Sequence, residues 1–512
     1  MQDRATTEIV VRAFERSFTR GQVREVESCA DVPRQSIVVV VRPDRETAGV
    51  LARIVRDGGK LILHGPLDQA AADIAGVQLI AVDPALRCSA ESEAAPPAEL
   101  RASRAALRYS DTGIGRMSPL RRRHFCRYDF SNEWNNLGYG RIGLCDDRWS
   151  ISHIACRFET SVAMLEIDGQ SSPGAAVTLR DLSRGAILWF ARPVGAVDGQ
   201  DWAIVDYFIS AYREDDLACR PRLMGMPHGY DAAVSMRLDC DEDVASARPL
   251  FDLYRTRHRP LSLAVATGRL QDGPDVELIS DVSRNGGAIL SHSVTHTPCW
   301  GGSGRAAEQE ARDSKARLEG LVGGLEVRFA VSPFHQNPGF VPQALALAGY
   351  DGFISGSIAN DPEYLMARGG IPPFGPPGIV LHTQSCMLHG DCMLAEGDPL
   401  RIYKDAFRLA RASREFFGYL DHPFSERYAY GWRDEGQRLA VHAAYLDFME
   451  GECDREPILF VNEDTCMRFI KERSATLIRY DERGKTYELS AAMAAGFRLS
   501  IGYGSSVVEA AA

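Results

Sequence analysis

The stretch Val234-Ser235-Met236-Arg237-Leu238-Asp239-Cys240-Asp241 is followed, about fifty residues later, by His292-Ser293-Val294-Thr295-His296. The apolar residues before the first carboxylate predict a buried β-strand that leads into both carboxylates. Side chains alternate along a strand, so Asp239 and Asp241 are expected on one face. The two histidines are four apart and share a face if their segment is helical. Two imidazoles and one carboxylate make an open, three-ligand metal site of the hydrolytic kind, with the second carboxylate left for proton transfer.

These motifs resemble those of the polysaccharide deacetylases, the NodB-homology or carbohydrate esterase family 4, and the resemblance covers about residues 230–475. Leu238-Asp239-Cys240-Asp241 matches the family's first motif in its separated DxD form. His292-Ser293-Val294-Thr295-His296 matches the second motif, H[ST]xxH, with glycines preceding it at Gly286 and Gly287.

The later motifs of the family are matched in part. Val331-Ser332-Pro333-Phe334 keeps the Pro-aromatic end of the third motif, RxPY or RxPF, and lacks its arginine. Leu420-Asp421-His422-Pro423 matches the last motif, an LxH after a strand, whereas the sequence offers no match to the fourth, DxxDW-like motif. The missing arginine leaves open which group orients the catalytic base.

The resemblance implies a distorted (β/α) barrel and a division of labour among the motif residues. It assigns a divalent ion, expected to be Zn²⁺, to Asp241, His292 and His296. It makes Asp239 the base, the backbone N–H of Phe334 a donor to the oxyanion, and His422 the acid. The implied reaction is hydrolysis of the N-acetyl group of an amino sugar in a glycan or glycan precursor, with release of acetate.

Other interpretations remain open at this point. The same fold could hydrolyse a different amide or imide, or the chain could be a catalytically silent carbohydrate-binding scaffold. It could also be a subunit of a biosynthetic complex in which the N-terminal domain docks a partner. Asp239 and Asp241 could instead cap the strand or pair with Arg237. A further group, His382 and His389 with Asp391 and Cys392, has no spacing that matches a metal site, and structural roles are expected for it.

The N-terminal region, residues 1–222, is predicted to be a separate α/β domain. Its alternating strands and helices weakly resemble a glutamine-amidotransferase-like fold, which needs a cysteine at a tight turn after a strand. The comparable turn here is His64-Gly65-Pro66, so we expect an accessory domain that serves assembly, including oligomerisation, or substrate presentation. The predicted elements are strands at 36–41, 59–63, 77–82 and 184–190, and helices at 48–56 and 201–212.

The second region, residues 223–478, alternates strands and helices as a (β/α) barrel does. A Pro- and Gly-containing segment near residue 222 is the predicted boundary, and residues 479–512 are predicted to be a strand-like extension. The predicted strands lie at 261–266, 288–291, 327–331, 352–355 and 379–382, and a solvent-facing helix is predicted at 306–321.

Composition fits a large globular enzyme. The 512 residues are 45% hydrophobic and 25% charged, and the net charge of −11 opposes binding to nucleic acid. No apolar run is long enough for a transmembrane segment, and the first twenty residues lack the apolar core of a signal peptide, so a cytoplasmic location is expected. Chemistry in the cytoplasm points to a lipid-linked or nucleotide-linked precursor, used in polysaccharide biosynthesis. The 12 cysteines contain no CxxC pair, and reduced thiols are expected.

Overall fold

The computed structural model describes residues 4–26, 32–33, 35–82, 105–124, 148, 151–167, 170–197, 199–356, 368–372, 375–425, 429–453, 456–482 and 485–510. Within these ranges the chain forms two nine-stranded sheets and three small ones. No helix of the described ranges is both long and apolar enough to cross a membrane.

The first large sheet mixes parallel and antiparallel pairing. Strands β1, β2 and β9 are parallel neighbours, and the order continues antiparallel as β9-β8-β7-β4-β5, with β6 pairing β3 and β8. The parallel part agrees with the α/β architecture expected for this region, and the long antiparallel part was not predicted. The strands are β1 (Ile37–Val41), β2 (Lys60–His64), β3 (Gln78–Ala81), β4 (Ala105–Tyr109), β5 (Arg122–His124), β6 (His153–Arg157), β7 (Thr160–Ile167), β8 (Gln170–Leu182) and β9 (Gly185–Phe190).

Four described helices accompany this first sheet, and two of them show clear N-terminal caps. Asp44 accepts a hydrogen bond from the Thr47 amide at the start of α2, and Asp68 accepts one from the Ala71 amide at the start of α3. The helices are α1 (Arg4–Gln22), α2 (Arg45–Arg56), α3 (Gln69–Ala75) and α4 (Ala203–Ser210).

The second large sheet is entirely parallel and curled, as the (β/α) barrel expectation requires. Its order is β16-β15-β14-β13-β12-β11-β18-β17, and β19 pairs with the first half of β11. All nine residues of β11 are buried, which is typical of a parallel strand covered on both faces. The strands are β11 (Ala232–Cys240), β12 (Ser262–Val265), β13 (Ile289–Ser291), β14 (Phe329–Val331), β15 (Gly352–Gly356), β16 (Val380–Gln384), β17 (Cys386–Met387), β18 (Phe416–Asp421) and β19 (Ile458–Val461).

Helices connect the parallel strands and cover their outer side. In α7, residues Ala307, Ala311, Ser314 and Leu318 are buried at helical spacing, and the other residues are partly or fully exposed, in agreement with a solvent-facing helix. The helices are α5 (Arg248–Thr256), α6 (Pro274–Arg284), α7 (Gly304–Leu321), α8 (Val341–Leu347), α9 (Arg401–Ser413), α10 (Glu435–Gly451) and α11 (Glu463–Ala475). The predicted strand ends differ from the observed ones by one or two residues.

The C-terminal residues form short antiparallel pairs, and one of them reaches back to the segment near residue 222. Strand β10 (Arg222–Leu223) pairs with β24 (Ser500–Tyr503), which pairs with β25 (Ser506–Glu509). Two hairpins precede them, β20 (Ile478–Asp481) with β21 (Thr486–Leu489), and β22 (Met493–Ala494) with β23 (Phe497–Arg498).

Buried arginines connect the first and last parts of the chain. Arg16 in α1 donates to the Ile371 carbonyl, and Arg473 in α11 donates to the carbonyls of Arg16, Leu223 and Met224. These bonds satisfy buried carbonyl groups, and they join segments that lie before and after residue 222 in the sequence. The domain limits inferred from sequence, 1–222, 223–478 and 479–512, stay predictions.

Candidate active site

A cavity of about 480 Å³ opens where β11, β13 and β18 end. The carboxyl ends of parallel strands meet at one edge of a sheet, so residues that directly follow these strands converge there. The cavity is lined by acidic, imidazole and aromatic side chains together with a few small residues: Asp239, Asp241, Glu242, Ala266, Gly268, Arg269, His292, Val294, Thr295, His296, Phe334, His335, Met387, His389, His422 and Tyr430.

Asp241, which directly follows β11, faces three imidazoles. Its Oδ1 lies 3.3 Å from Nε2 of His292 and 3.4 Å from Nε2 of His296. Its Oδ2 lies 3.5 Å from Nε2 of His422. Ligand atoms around a tetrahedral Zn²⁺ are separated by about 3.3–3.6 Å, because each metal–ligand distance is about 2.0–2.3 Å. The spacing within Asp241, His292 and His296 therefore suits one divalent ion.

The two motif histidines lie on a tight loop and not on a helix, so they are not brought together by a helical turn. Ser293 has φ 67° and His296 has φ 50°, both in the left-handed region, which bends the chain immediately after β13. The Ser293 hydroxyl accepts a hydrogen bond from the His296 amide at 3.0 Å. Glu310 in α7 accepts bonds from the amides of Val294 and Thr295. Local side-chain hydrogen bonds thus replace the helical ones.

Hydrogen bonding fixes which nitrogen of His292 faces Asp241. Nδ1 of His292 lies 2.9 Å from the Val331 carbonyl, which can only accept, so Nδ1 carries the proton. Nε2 then presents its lone pair toward Asp241 when the ring is neutral. This is the usual arrangement of a histidine that ligates a metal.

The ionisation of Asp241 and His296 also fits a cation. Burial lowers the pKa of His296 to about 4, so this imidazole is neutral near pH 7. Burial raises the pKa of Asp241, but the neighbouring imidazoles lower it well below its ordinary value. No hydrogen bond of good geometry reaches the buried Oδ1 of Asp241 from the described residues. A buried anionic oxygen without a hydrogen bond between two imidazole nitrogens is the chemical environment that a divalent ion would satisfy.

Asp239 is held by an arginine of its own strand. Arg237 donates from Nε to Oδ1 at 2.6 Å and from Nη2 to Oδ2 at 3.1 Å, a two-point contact with both side chains buried. The two residues are two apart in β11 and therefore lie on the same face. Burial raises the pKa of Asp239, but Arg237 and then His292 lower it to about 2. Asp239 is therefore ionised at neutral pH.

His422 follows β18 and is fixed from two sides. Its Nδ1 lies 2.7 Å from Nε2 of His389, and its ring stacks on Tyr430 with centroids 4.2 Å apart. Burial, followed by His422, lowers the pKa of His389 to about 3, so His389 is neutral. Nε2 of a neutral His389 can accept a hydrogen bond from the Nδ1–H group of His422. Nε2 of His422 is then directed into the cavity.

The preceding residue, Asp421, anchors the end of β18. Its Oδ2 accepts hydrogen bonds from Arg438 at 2.8 Å and His442 at 3.0 Å, and its Oδ1 accepts the His422 amide at 2.8 Å. Burial raises the pKa of Asp421, but Arg438 and His442 lower it well below the ordinary range. Asp421 therefore orients the loop that carries His422 from outside the cavity lining.

The third-motif residue Phe334 enters the cavity beside His296. Its ring centroid lies 4.6 Å from that of His296. Phe334 has φ 53° inside the one-turn helix Pro333–His335, a conformation that is costly for an aromatic residue. Phe334 is the second residue of this single turn, and the first amides of a helical turn have no carbonyl acceptor within it. Its backbone N–H therefore has no acceptor in its own turn.

Sequence reasoning missed three of the residues that lie beside the motif side chains. Arg237 was considered only as a structural alternative, although its two-residue spacing from Asp239 was the available signal. His389 and Tyr430 lie on loops whose positions depend on the closure of the sheet. His382, which was grouped with His389 in the sequence, instead contacts Glu463 and Cys466.

No protein-family model matches the sequence, and no curated protein matches it. Solved structures do match parts of the fold. One is from a protein of Mycobacterium smegmatis assigned to the polysaccharide deacetylases, with 15% identity, a TM-score of 0.37, and coverage of 49% of this chain and 94% of that one. Another is a family 4 carbohydrate esterase from Streptomyces lividans in complex with acetate, with 13% identity, a TM-score of 0.30, and coverage of 44% and 91%.

A third is the chitin deacetylase of the fungal pathogen Colletotrichum lindemuthianum, with 12% identity, a TM-score of 0.30, and coverage of 48% of this chain and 90% of that one. The structures similar to this chain thus include polysaccharide deacetylases and family 4 carbohydrate esterases over about half its length, which is the resemblance that the motifs predicted. At TM-scores this low the likeness carries no argument about activity, so the site must be judged by its own geometry.

Proposed function

We propose that this protein is a metal-dependent hydrolase that removes the N-acetyl group of an amino sugar and releases acetate. One observation supports this most strongly: the carboxylate of Asp241 faces the Nε2 atoms of three imidazoles at 3.3–3.5 Å, inside an open cavity. The ionised carboxylate of Asp239 lines the same cavity. Ligands, a base and an acid for amide hydrolysis therefore lie around one space.

The metal would be held by Asp241, His292 and His296, and we propose Zn²⁺ because it favours two imidazoles and a carboxylate with open positions. When bound, such an ion would polarise the acyl carbonyl and lower the pKa of a water molecule.

Asp239 accepts the proton of the attacking water. The Arg237 guanidinium keeps it ionised and holds both its oxygens, so the carboxylate cannot rotate away from the cavity. The Phe334 amide, without an acceptor in its own turn, supplies a hydrogen-bond donor for the oxyanion that forms at the acyl carbon.

His422 donates a proton to the departing amine. Its Nδ1 is held by His389, so the proton that leaves is the one on Nε2, which faces the cavity. An amine is a poor leaving group unless it is protonated, and this step completes the cleavage of the carbon–nitrogen bond.

The substrate that we propose is an N-acetylated sugar in a lipid-linked or nucleotide-linked glycan precursor, handled in the cytoplasm during polysaccharide biosynthesis. A cavity of about 480 Å³ is in the usual range of about 300–1,000 Å³ for small-molecule sites. Its polar lining suits hydroxyl groups. We assign catalysis to residues 223–478 and an accessory role, with possible oligomer contacts, to residues 1–222.

The test is acetate release from a panel of N-acetylhexosamine nucleotides and lipid-linked glycans, with and without a chelator. Purified protein should release acetate from at least one member, and the chelator should abolish the release. The Asp239→Asn variant serves as the matched control for contaminating deacetylases, because the change removes only the charge of one carboxylate. Equal acetate release by this variant and by the unaltered protein would contradict the proposal.

The arginine missing from the third motif favours a catalytically silent scaffold, because the base would then lack a partner. Arg237 supplies a guanidinium to Asp239 from the same strand, which supports the catalytic alternative.

A further inference from the structure

A second group of metal-ligating side chains lies inside the barrel, below the cavity. It consists of His382 on β16, and Glu463 and Cys466 in the first turn of α11. Nδ1 of His382 lies 3.7 Å from Sγ of Cys466 and 3.9 Å from Oε2 of Glu463. All three side chains are at most 1% exposed. We propose that these residues form a second, closed site for a divalent metal ion of the Zn²⁺ class, separate from the site in the cavity.

The orientation of His382 is that of a ligand. Its Nε2 contacts the carbonyl of Phe416 at 3.5 Å, and a carbonyl can only accept, so Nε2 carries the proton. Nδ1 is left to face Glu463 and Cys466. The same pattern fixes His292 in the cavity, where the Val331 carbonyl accepts a hydrogen bond from the other ring nitrogen, Nδ1.

Glu463 gives an independent indication of a missing partner. Both its carboxylate oxygens are fully buried, and neither accepts a hydrogen bond from a described residue. Two basic side chains lie near this carboxylate. Nη1 of Arg237 is 4.0 Å from Oε1, and Nδ1 of His382 is 3.9 Å from Oε2, and both distances are too long for a hydrogen bond. A buried carboxylate in this state is costly, and a cation coordinated between Glu463, His382 and Cys466 would satisfy it.

The three ligand atoms lie within 4.8 Å of one another, so the side chains would close in by up to about an ångström around an ion. Cys466 and Glu463 are three residues apart on a helix and so lie on one face. The observed separations of 3.7 and 3.9 Å are slightly larger than the roughly 3.6 and 3.3 Å expected around tetrahedral Zn²⁺. The hydroxyl of Ser235, buried on β11 without a hydrogen bond from the described residues, is available for the fourth position.

Cobalt(II) provides a test that separates the two sites, because only the closed site contains a cysteine. Full-length protein produced in cobalt-supplemented medium should contain two ions per chain and show the near-ultraviolet charge-transfer band of a thiolate bound to cobalt. Cys466→Ala should lose the band and one ion. Cys240→Ala, which removes another buried thiol from the strand next to the open site, should keep both.

The His292→Ala/His296→Ala double variant should lose one ion and keep the thiolate band, so failure of the cavity site and failure of the closed site give different results. If Cys466→Ala does not fold, the unaltered protein still decides the matter. At most one ion per chain and no thiolate band in the unaltered protein would overturn the closed site, as would a band that persists in Cys466→Ala.

Discussion

The open cluster in the cavity and the closed cluster around His382 contain similar side chains but differ in their access to solvent. Asp241, His292 and His296 open onto about 480 Å³ of accessible space, whereas His382, Glu463 and Cys466 are sealed in the barrel. In each cluster a carboxylate oxygen without a hydrogen bond from the described residues faces an imidazole whose other nitrogen contacts a carbonyl.

If both clusters bind metal as we propose, solvent access and ligand type would separate the catalytic site from the structural one. Space for water and substrate lies beside the cavity cluster, whereas the closed cluster is buried and contains a cysteine. Arg237 connects the two, since it contacts Asp239 on one side and approaches Glu463 to 4.0 Å on the other.

The largest effect is expected from removing the carboxylate of the open cluster. Asp241→Ala should strip the cavity ion and lower kcat/KM by about a thousandfold or more, because the loss of Lewis-acid stabilisation is worth several kcal/mol. Elemental analysis with acetate-release kinetics checks this, and Glu242→Ala, at the neighbouring cavity position, is the control that should keep the ion. Full metal content in the Asp241 variant would remove it from the ligand set.

A base that touches only water should behave differently from a ligand. Asp239→Asn should keep the cavity ion while turnover falls on the order of a hundredfold or more. The paired measurement is metal content and kcat on the same preparation. Near-normal kcat would transfer the role of base to another group lining the cavity, with Glu242 as the next candidate.

The acid is tested by comparing leaving groups. His422→Ala should retain the metal and lose about a hundredfold or more on an amide substrate. The same variant should lose much less on an aryl acetate, because an activated leaving group departs without a proton. A loss of equal size on both substrates would mean that His422 supports the loop or the metal site instead.

The link between the clusters is tested by replacing its cation. Arg237→Met removes the guanidinium that lies beside the buried carboxylates of Asp239 and Glu463. We expect a loss of about 3–5 kcal/mol in the free energy of unfolding. Because Arg237 lowers the pKa of Asp239, the variant should also raise that pKa and move the acidic limb of kcat/KM to higher pH. Chemical unfolding and a pH–rate profile measure both effects, with Arg284→Met, an exposed arginine of α6 that does not line the cavity, as the control. An unchanged acidic limb would contradict the role given to Arg237.

Much of the barrel could be predicted from the sequence, because buried parallel strands appear as short apolar runs and the metal motifs directly follow them. The motif residues Asp239, Asp241, His292, His296, Phe334 and His422 all line one cavity. The conformation of the histidine pair could not be predicted, since it depends on hydrogen bonds from Ser293 and from Glu310, which lies on a later helix.

The closed cluster was not visible in the sequence for a related reason. His382 lies more than eighty residues from Glu463, and the two meet only because β19 pairs with the first half of β11 and places α11 beneath the cavity. His389 joined His422 through a similar long-range contact. Side chains that meet through long-range pairing of strands have no characteristic spacing in the sequence, so their contact cannot be predicted from a local motif.

We propose that the open cluster performs the chemistry and that the closed cluster does not. The most direct measurement is a chelator titration of the unaltered protein in which acetate release and metal content are followed together, and Zn²⁺ is then added back. We predict that activity falls in step with loss of the first ion, returns on addition of Zn²⁺, and disappears while the buried ion is still bound. Acetate release that continues after the cavity ion has been removed would contradict the account.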